Sequence, residues 1–291
     1  MAGMRTGFVA SLVAVAVLSL ARAAVAHPPV SVVMDSRGFV YYSDLENVWR
    51  ISPTGTRSLA VIGVHTHQLY VDAEDRLYGE DATNDDATGA PYHRVWRLDP
   101  DGRLSDVIPR RAGYLWTYGD FGFVHDRMGV AYILQHSGGP ALVRIGGSGR
   151  VTRTTLPRPE PGFALPTADD RVVITAGRDL LRADPRRQQA RVWKANLSRL
   201  TPRALEVADR HTLLGLWSDR EGRIYVASYA GAAVIRLDRD GAEAVIAHSP
   251  EGWAPTGGMV GPDESLWLLE MSLDGQVRVR RVMPDGTERV Y

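Results

Sequence analysis

The sequence contains no cysteine at all. This excludes disulfide staples, thiolate metal sites and a lipid-modified cysteine, so the fold must be held by its core alone. Lysine is nearly absent too, Lys194 being the only one, and the cationic charge is carried by arginine. Basic and acidic residues balance at 34 each, which gives no electrostatic footprint for nucleic acid. No segment carries a long period-3.6 apolar pattern, so helices are expected to be scarce. Long hydrophobic runs are missing as well, apart from "FVASLVAVAVLSL" (8–20), which is too short to span a bilayer.

That run follows Arg5 and precedes "AVA" (24–26), whose small residues fit a cleavage site. Residues 1–26 therefore read as a secretory signal peptide, with cleavage before His27 and a mature chain of 27–291. An N-terminal membrane anchor is the competing reading, disfavoured by the short run and by Arg22. The expected location is secreted or periplasmic, with no membrane span in the mature chain.

What the sequence does have is turns, and they recur. A turn followed by an apolar strand appears in "DSRGFVYYSD" (35–44), "DAEDRLYGED" (72–81), "DRMGVAYILQ" (126–135), "TADDRVVITA" (167–176), "DREGRIYVAS" (219–228) and "GPDESLWLLE" (261–270). Between these lie "RISPTG" (50–55), "RLDPDG" (97–102), "RIGGSG" (144–149), "RADPRR" (182–187), "RLDRDG" (236–241) and "RVMPDG" (281–286). Each of these is an arginine at a strand end followed by a hairpin turn, with glycine supplying the positive φ in all but the fourth.

The two signatures alternate six times, so one cycle holds four strands: A before the first turn, B after it, C ending at the arginine, and D after the second turn. Four-stranded units repeated in series cannot each bury a face alone, and radial closure meets that need. The expected fold is all-β, a six-bladed propeller of four-stranded antiparallel blades, spanning 28–63, 64–109, 110–157, 158–205, 206–250 and 251–291. Little sequence precedes strand A of blade one, so blade six should supply all four of its own strands. The recurrence of the second-signature arginines marks them as structural rather than as an anion site.

Propeller topology gathers the residues just before strand A and just after strand B at one central mouth. Candidate proton carriers there are Asp44, His136 and His211; candidate ligand-binding residues are Trp116, Tyr118, Gln135, Tyr229 and Trp253. In "HTH" (65–67) two histidines at i and i+2 of an extended segment point to one side. With Glu270 from the last blade, His65 and His67 form a candidate metal set suited to zinc, manganese or iron. A divalent metal ion is thus the one candidate cofactor. The acidic loop "EDATNDDATGAPY" (80–92) reads as a gating rim loop or a calcium loop.

"GLWSDREGRIYVASYAGAAVIRLDRDG" (215–241) and "PTGGMVGPDESLWLLE" (255–270) resemble NHL-repeat blades and the gluconolactonase/senescence-marker-protein propellers. That resemblance implies the six-bladed fold and a ligand at the central mouth. The last blade is also similar to streptogramin-inactivating lyases, in which a glutamate matching Glu270 binds the metal and a histidine two residues later is the base. Here that later position is Ser272. The gluconolactonase pattern implies a metal-binding glutamate ahead of the first strand and an asparagine before a "GLWS"-like segment. This chain offers neither, since no acid precedes "VSVV" and leucines precede "GLWS". The sequence therefore favours non-catalytic binding of a small molecule or peptide at the mouth. The alternative is a metal-dependent hydrolase or lyase acting at the same place.

Overall fold

The computed structural model describes residues 28–291 apart from 86, 119 and 137, and leaves the side chains of Trp116 and Thr117 undescribed. The signal-peptide reading and His27 lie outside the described residues. Six antiparallel sheets of four strands follow one another along the chain, each with its strands in sequential order. Blade one comprises Val32–Met34, Val40–Ser43, Asn47–Ile51 and Arg57–Ile62; blade two, Leu69–Val71, Leu77–Asn84, Pro91–Leu98 and Leu104–Ala112. Blade three comprises Val124–His125, Ala131–Gln135, Ala141–Ile145 and Val151–Thr155; blade four, Pro161–Pro166, Val172–Ala176, Asp179–Asp184 and Gln189–Lys194. Blade five comprises Leu213–Ser218, Ile224–Ser228, Ala233–Leu237 and Glu243–His248; blade six, Trp253–Val260, Leu266–Ser272, Val277–Val282 and Glu288–Val290. Five of the six sheets fall inside the intervals read from the turns; the last strand of blade two runs three residues past its interval, to Ala112.

The first signature has a physical core that its turn pattern alone does not reveal. In blades one, two, three and five, the opening aspartate accepts a hydrogen bond from the tyrosine hydroxyl six residues on. The distances are 3.2 Å for Asp35–Tyr41, 2.9 Å for Asp72–Tyr78, 3.1 Å for Asp126–Tyr132 and 2.8 Å for Asp219–Tyr225. The same carboxylates accept backbone N–H groups of the turn, for example Arg223 on Asp219 at 2.9 Å. Each turn is thereby tied to its own strand B. The position six residues on also faces the second-signature arginine across strands B and C in every blade. These pairs are Tyr41 with Arg50, Tyr78 with Arg97, Tyr132 with Arg144, Val173 with Arg182, Tyr225 with Arg236, and Trp267 with Arg281. Such directly opposed side chains are the contacts that stabilise a sheet pair, and they give the arginines their structural place.

Six buried apolar clusters hold the ring together, one at each junction between neighbouring blades. The closing junction packs Val32, Val40, Tyr42 and Ile51 of blade one against Trp267, Leu269 and Val279 of blade six. Each such side chain contributes roughly 1.5–3 kcal/mol by leaving water. Closure therefore rests on side-chain packing, and Val32–Met34 pairs within its own sheet and not with the last blade.

The segment ahead of blade one crosses the middle of the ring. The Val30 N–H donates to the His67 carbonyl in blade two at 3.0 Å, while its side chain joins the cluster between blades five and six. A Cβ at Gly257 would overlap the Val30 carbonyl, and one at Gly215 would sit 3.3 Å from the same oxygen. Glycine on these two inner strands is what admits the crossing segment.

Candidate functional site

A cavity of about 690 Å³ opens at the mouth, displaced from the ring axis towards blades two to five. Its position follows from two features: the Pro28–Val30 segment occupies the side of blades five and six, and the connection between blades two and three is long. That connection includes a single helical turn, Leu115–Tyr118, and then "DFGF" (120–123). It is anchored from below by His93, which is fully buried. The His93 Nδ1 lies 2.6 Å from the Gly113 carbonyl, and its Nε2 accepts from Arg111 Nε at 2.9 Å. A carbonyl cannot donate, so Nδ1 carries the proton and His93 is the neutral Nδ1–H tautomer. Arg111 continues to Asp120 at 2.7 Å and lies over the Tyr118 ring at 3.8 Å.

Four histidines read from the sequence border this one cavity: His65, His67, His136 and His211. The His65 Nδ1 is 2.9 Å from the Leu45 carbonyl, which fixes its proton in the same way. Its ring meets that of His67 edge to face at 4.8 Å between centroids. Burial, and then the neighbouring His67, pull the His65 pKa below the ordinary imidazole value. The Glu80 carboxylate lies 3.5 Å from His67 Nδ1. Burial also lowers the pKa of His136, with Glu160 opposing. His211 accepts from Arg210 Nε at 3.3 Å. His65 and His136 are therefore neutral imidazoles near pH 7.

The other sequence-derived candidates lie elsewhere. Glu270 is fully buried between two arginines, accepting from Arg278 Nε at 2.8 Å, Arg280 Nε at 2.9 Å and Ser249 Oγ at 2.8 Å. A buried carboxylate must be compensated in this way, and both its oxygens are committed. The set His65, His67 and Glu270 is thus not brought together. Among the described residues no three His, Asp or Glu side chains group closely enough to hold a metal.

Asp44 is a turn residue, accepting from Glu46 N, Asn47 N and Trp49 Nε1 at 3.0, 2.6 and 2.5 Å. Gln135 accepts from Arg153, Tyr229 is buried at the junction of blades five and six, and Trp253 lies under Arg278 at 3.9 Å. Tyr118 is exposed, with its hydroxyl on the Ala112 carbonyl. The side chain of Trp116 lies outside the described residues. Ser272, at the position of the lyase base, bonds to Asp274 and to the Gln276 backbone.

The aromatic wall is made instead by Tyr114, Phe121, Phe123, Tyr132 and Phe163. The signal for part of it stood in the sequence as "FGF" (121–123). Gly122 lies against the Tyr132 carbonyl, where a Cβ would approach to 2.6 Å, so only glycine lets the two phenylalanines sit this close to the inner strands.

No family model matches the sequence, and no characterised protein matches it at the sequence level. Solved structures do match its fold. A streptogramin B lyase is 14% identical with a TM-score of 0.58, over 91% of this chain and 83% of that one. A gluconolactonase-family protein is 14% identical with a TM-score of 0.59, over 85% and 86%. An auxiliary nutrient-binding protein from Bacteroides thetaiotaomicron is 11% identical with a TM-score of 0.58, over 87% of this chain and 68% of that one. The chain shares the six-bladed propeller fold of these proteins, among which are a lyase and a nutrient-binding protein.

Proposed function

We propose that this propeller binds a small organic molecule in its off-centre cavity, without transforming it. The observation that carries the reading is the composition of the cavity wall. Five aromatic rings and several aliphatic side chains enclose a volume of about 690 Å³, with imidazoles and the carboxylates of Glu80 and Glu160 among them. Mostly apolar concavities of this size, with a few placed polar groups, are how proteins take small ligands. Neutral imidazoles offer a donor or an acceptor without fixed charge. The matching ligand therefore has an aromatic or branched apolar body and one or two hydrogen-bonding groups. The neighbouring nutrient-binding propeller supports a binding role. The metal-hydrolase alternative loses its proposed donor set, because Glu270 is held by Arg278 and Arg280.

The test is a thermal-shift and calorimetric screen of aromatic and branched amines, acids and neutral analogues. Ala164→Phe, which places a ring into the cavity from blade four, serves as the control. Saturable binding that the variant abolishes while keeping its circular dichroism supports the reading. Turnover of a bound compound, or binding that the variant leaves unchanged, overturns it.

A further inference from the structure

Two buried glutamates of this chain are treated very differently by their surroundings. Glu270 receives two arginines and a serine hydroxyl, all at 2.8–2.9 Å. Glu80 is only 8% exposed, yet among the described residues no N–H or O–H group donates to its carboxylate. The nearest basic group is His67 Nδ1 at 3.5 Å, beyond the roughly 2.7–3.2 Å of an N–H···O bond. The next residue, Asp81, is by contrast fully used: it accepts from the His65 N–H and from Arg94 Nε, each at 3.0 Å.

The backbone that carries this carboxylate is firmly placed. The Glu80 carbonyl accepts from Thr66 Oγ1 at 2.5 Å and from Trp96 Nε1 at 3.2 Å, and both of those residues are fully buried. Alternate residues of the strand Leu77–Asn84 share a face, so Tyr78, Glu80 and Ala82 stand together. Phe121 packs against Tyr78 with 6.1 Å between ring centroids, and Glu80, Ala82 and Phe121 all border the cavity. His65 borders it too; its Nδ1–H is donated to the Leu45 carbonyl, which leaves Nε2 as an acceptor. The other charged groups at the cavity, Glu160 and Arg210, are exposed and opposite in sign. The blade-two wall thus presents a negative charge and an acceptor nitrogen beside an aromatic face.

We propose that the cavity selects an organic ammonium ion, whose N–H groups donate to the Glu80 carboxylate and to His65 Nε2 while its apolar body lies against Phe121. A primary ammonium has three donors and no acceptor, which is the complement of this wall. A buried carboxylate is costly to leave uncompensated, and the ligand's charge supplies to Glu80 what two arginines supply to Glu270. Aromatic faces add attraction for a cation. An anionic ligand meets Glu80 as a like charge and is excluded. A neutral alcohol donates a single bond and leaves the carboxylate uncompensated. The inference rests on the reading of the cavity as a small-molecule site and names the class of ligand that the site takes.

The experiment is a calorimetric titration of the purified protein near neutral pH with matched compounds. Phenethyl, isoamyl and indolylethyl bodies each carry an amine, a hydroxyl or a carboxylate head group. The amine should bind about 10-fold or more tighter than the alcohol on the same body, the increment of a charge-assisted hydrogen bond, and the carboxylate should not saturate. Glu80→Gln, checked by circular dichroism, should remove the preference for the amine and leave the affinity of the alcohol unchanged. Alcohols or carboxylates that bind as tightly as the amines overturn this inference alone, as does a preference for amines that survives in folded Glu80→Gln protein. The comparison of head groups needs no variant, so it decides the matter even where the substituted protein fails to fold. Absence of binding by every body and head group overturns the small-molecule reading of the cavity, and this inference with it.

Discussion

The junction between blades five and six and that between blades two and three are built from the same repeat, yet they differ sharply. The first is a cluster of eleven buried residues, among them Trp217, Tyr225, Tyr229, Leu268 and Met271, with Val30 inserted from the crossing segment. Among the described residues the second has three, Val95, Leu115 and Phe123, and one of these belongs to the helical turn of the connecting segment. The apolar material at the second junction is spent on lining a cavity rather than on filling a seam. A propeller can open a pocket off its axis by thinning one junction, provided the opposite side of the ring is packed well enough to keep the circle closed.

The largest expected effect lies on the thick side. Glu270→Ala would leave the half-buried Arg278 without its carboxylate and the buried Arg280 with only the exposed Glu288, and should cost about 3–5 kcal/mol in a urea-unfolding measurement. Leu268→Ala in the same cluster should cost about 2–5 kcal/mol by transfer and cavity terms. Leu115→Ala at the thin junction should cost less, since the surrounding segment can settle into the adjoining cavity. Equal costs for the two leucines would break the comparison.

A smaller effect compares blade five with blade two through their turn carboxylates. Asp219 and Asp72 are both pushed up by burial, but the hydrogen bonds from Arg223 and Tyr225, and from Arg76 and Tyr78, outweigh this and hold them below the ordinary carboxylate value. A depressed folded pKa gives stability that is present above the unfolded value of about 3.9 and lost as pH falls through the folded one. Asp219→Asn should therefore flatten the acid limb of the stability profile by roughly 1 kcal/mol, and Asp72→Asn should do the same. At the alkaline end Tyr225, pushed up to about 12 chiefly by burial, contributes stability that is lost as pH climbs from about 10 towards that value. The smallest signal is kinetic. Backbone amides of 113–115 and 120–123, at the junction with the smaller described cluster, should exchange with deuterium faster than those of strand B in blade six.

The fold was legible because its signal is repeated. Six arginine-led hairpin turns and six turns led by Asp, Thr or Gly fix strand count, order and antiparallel pairing, and errors at one copy are outvoted by the others. The four cavity histidines were legible for a related reason: their places before strand A or after strand B put them at the mouth in any such propeller. Glu270 occupies an equally suggestive place, but its partners Arg278 and Arg280 lie on strand C. Only the register, Glu270 opposite Arg278, shows that it is neutralised within its own sheet. Tyr229 is buried at the junction of blades five and six together with Val30 of the crossing segment, and Trp253 lies beneath Arg278. No local pattern announces that "PPV" turns inward across the centre.

That crossing also says something about how the molecule is made. Val30 meets Gly257 and Leu268 only after almost the whole chain has been strung between them, so this contact has nearly the longest sequence separation the described protein allows. Closing so long a loop is entropically late, and topologies dominated by such contacts fold slowly. Refolding should thus end with the docking of the N-terminal segment onto a ring whose individual sheets are already formed. The cavity beside that segment takes its final shape in that last step.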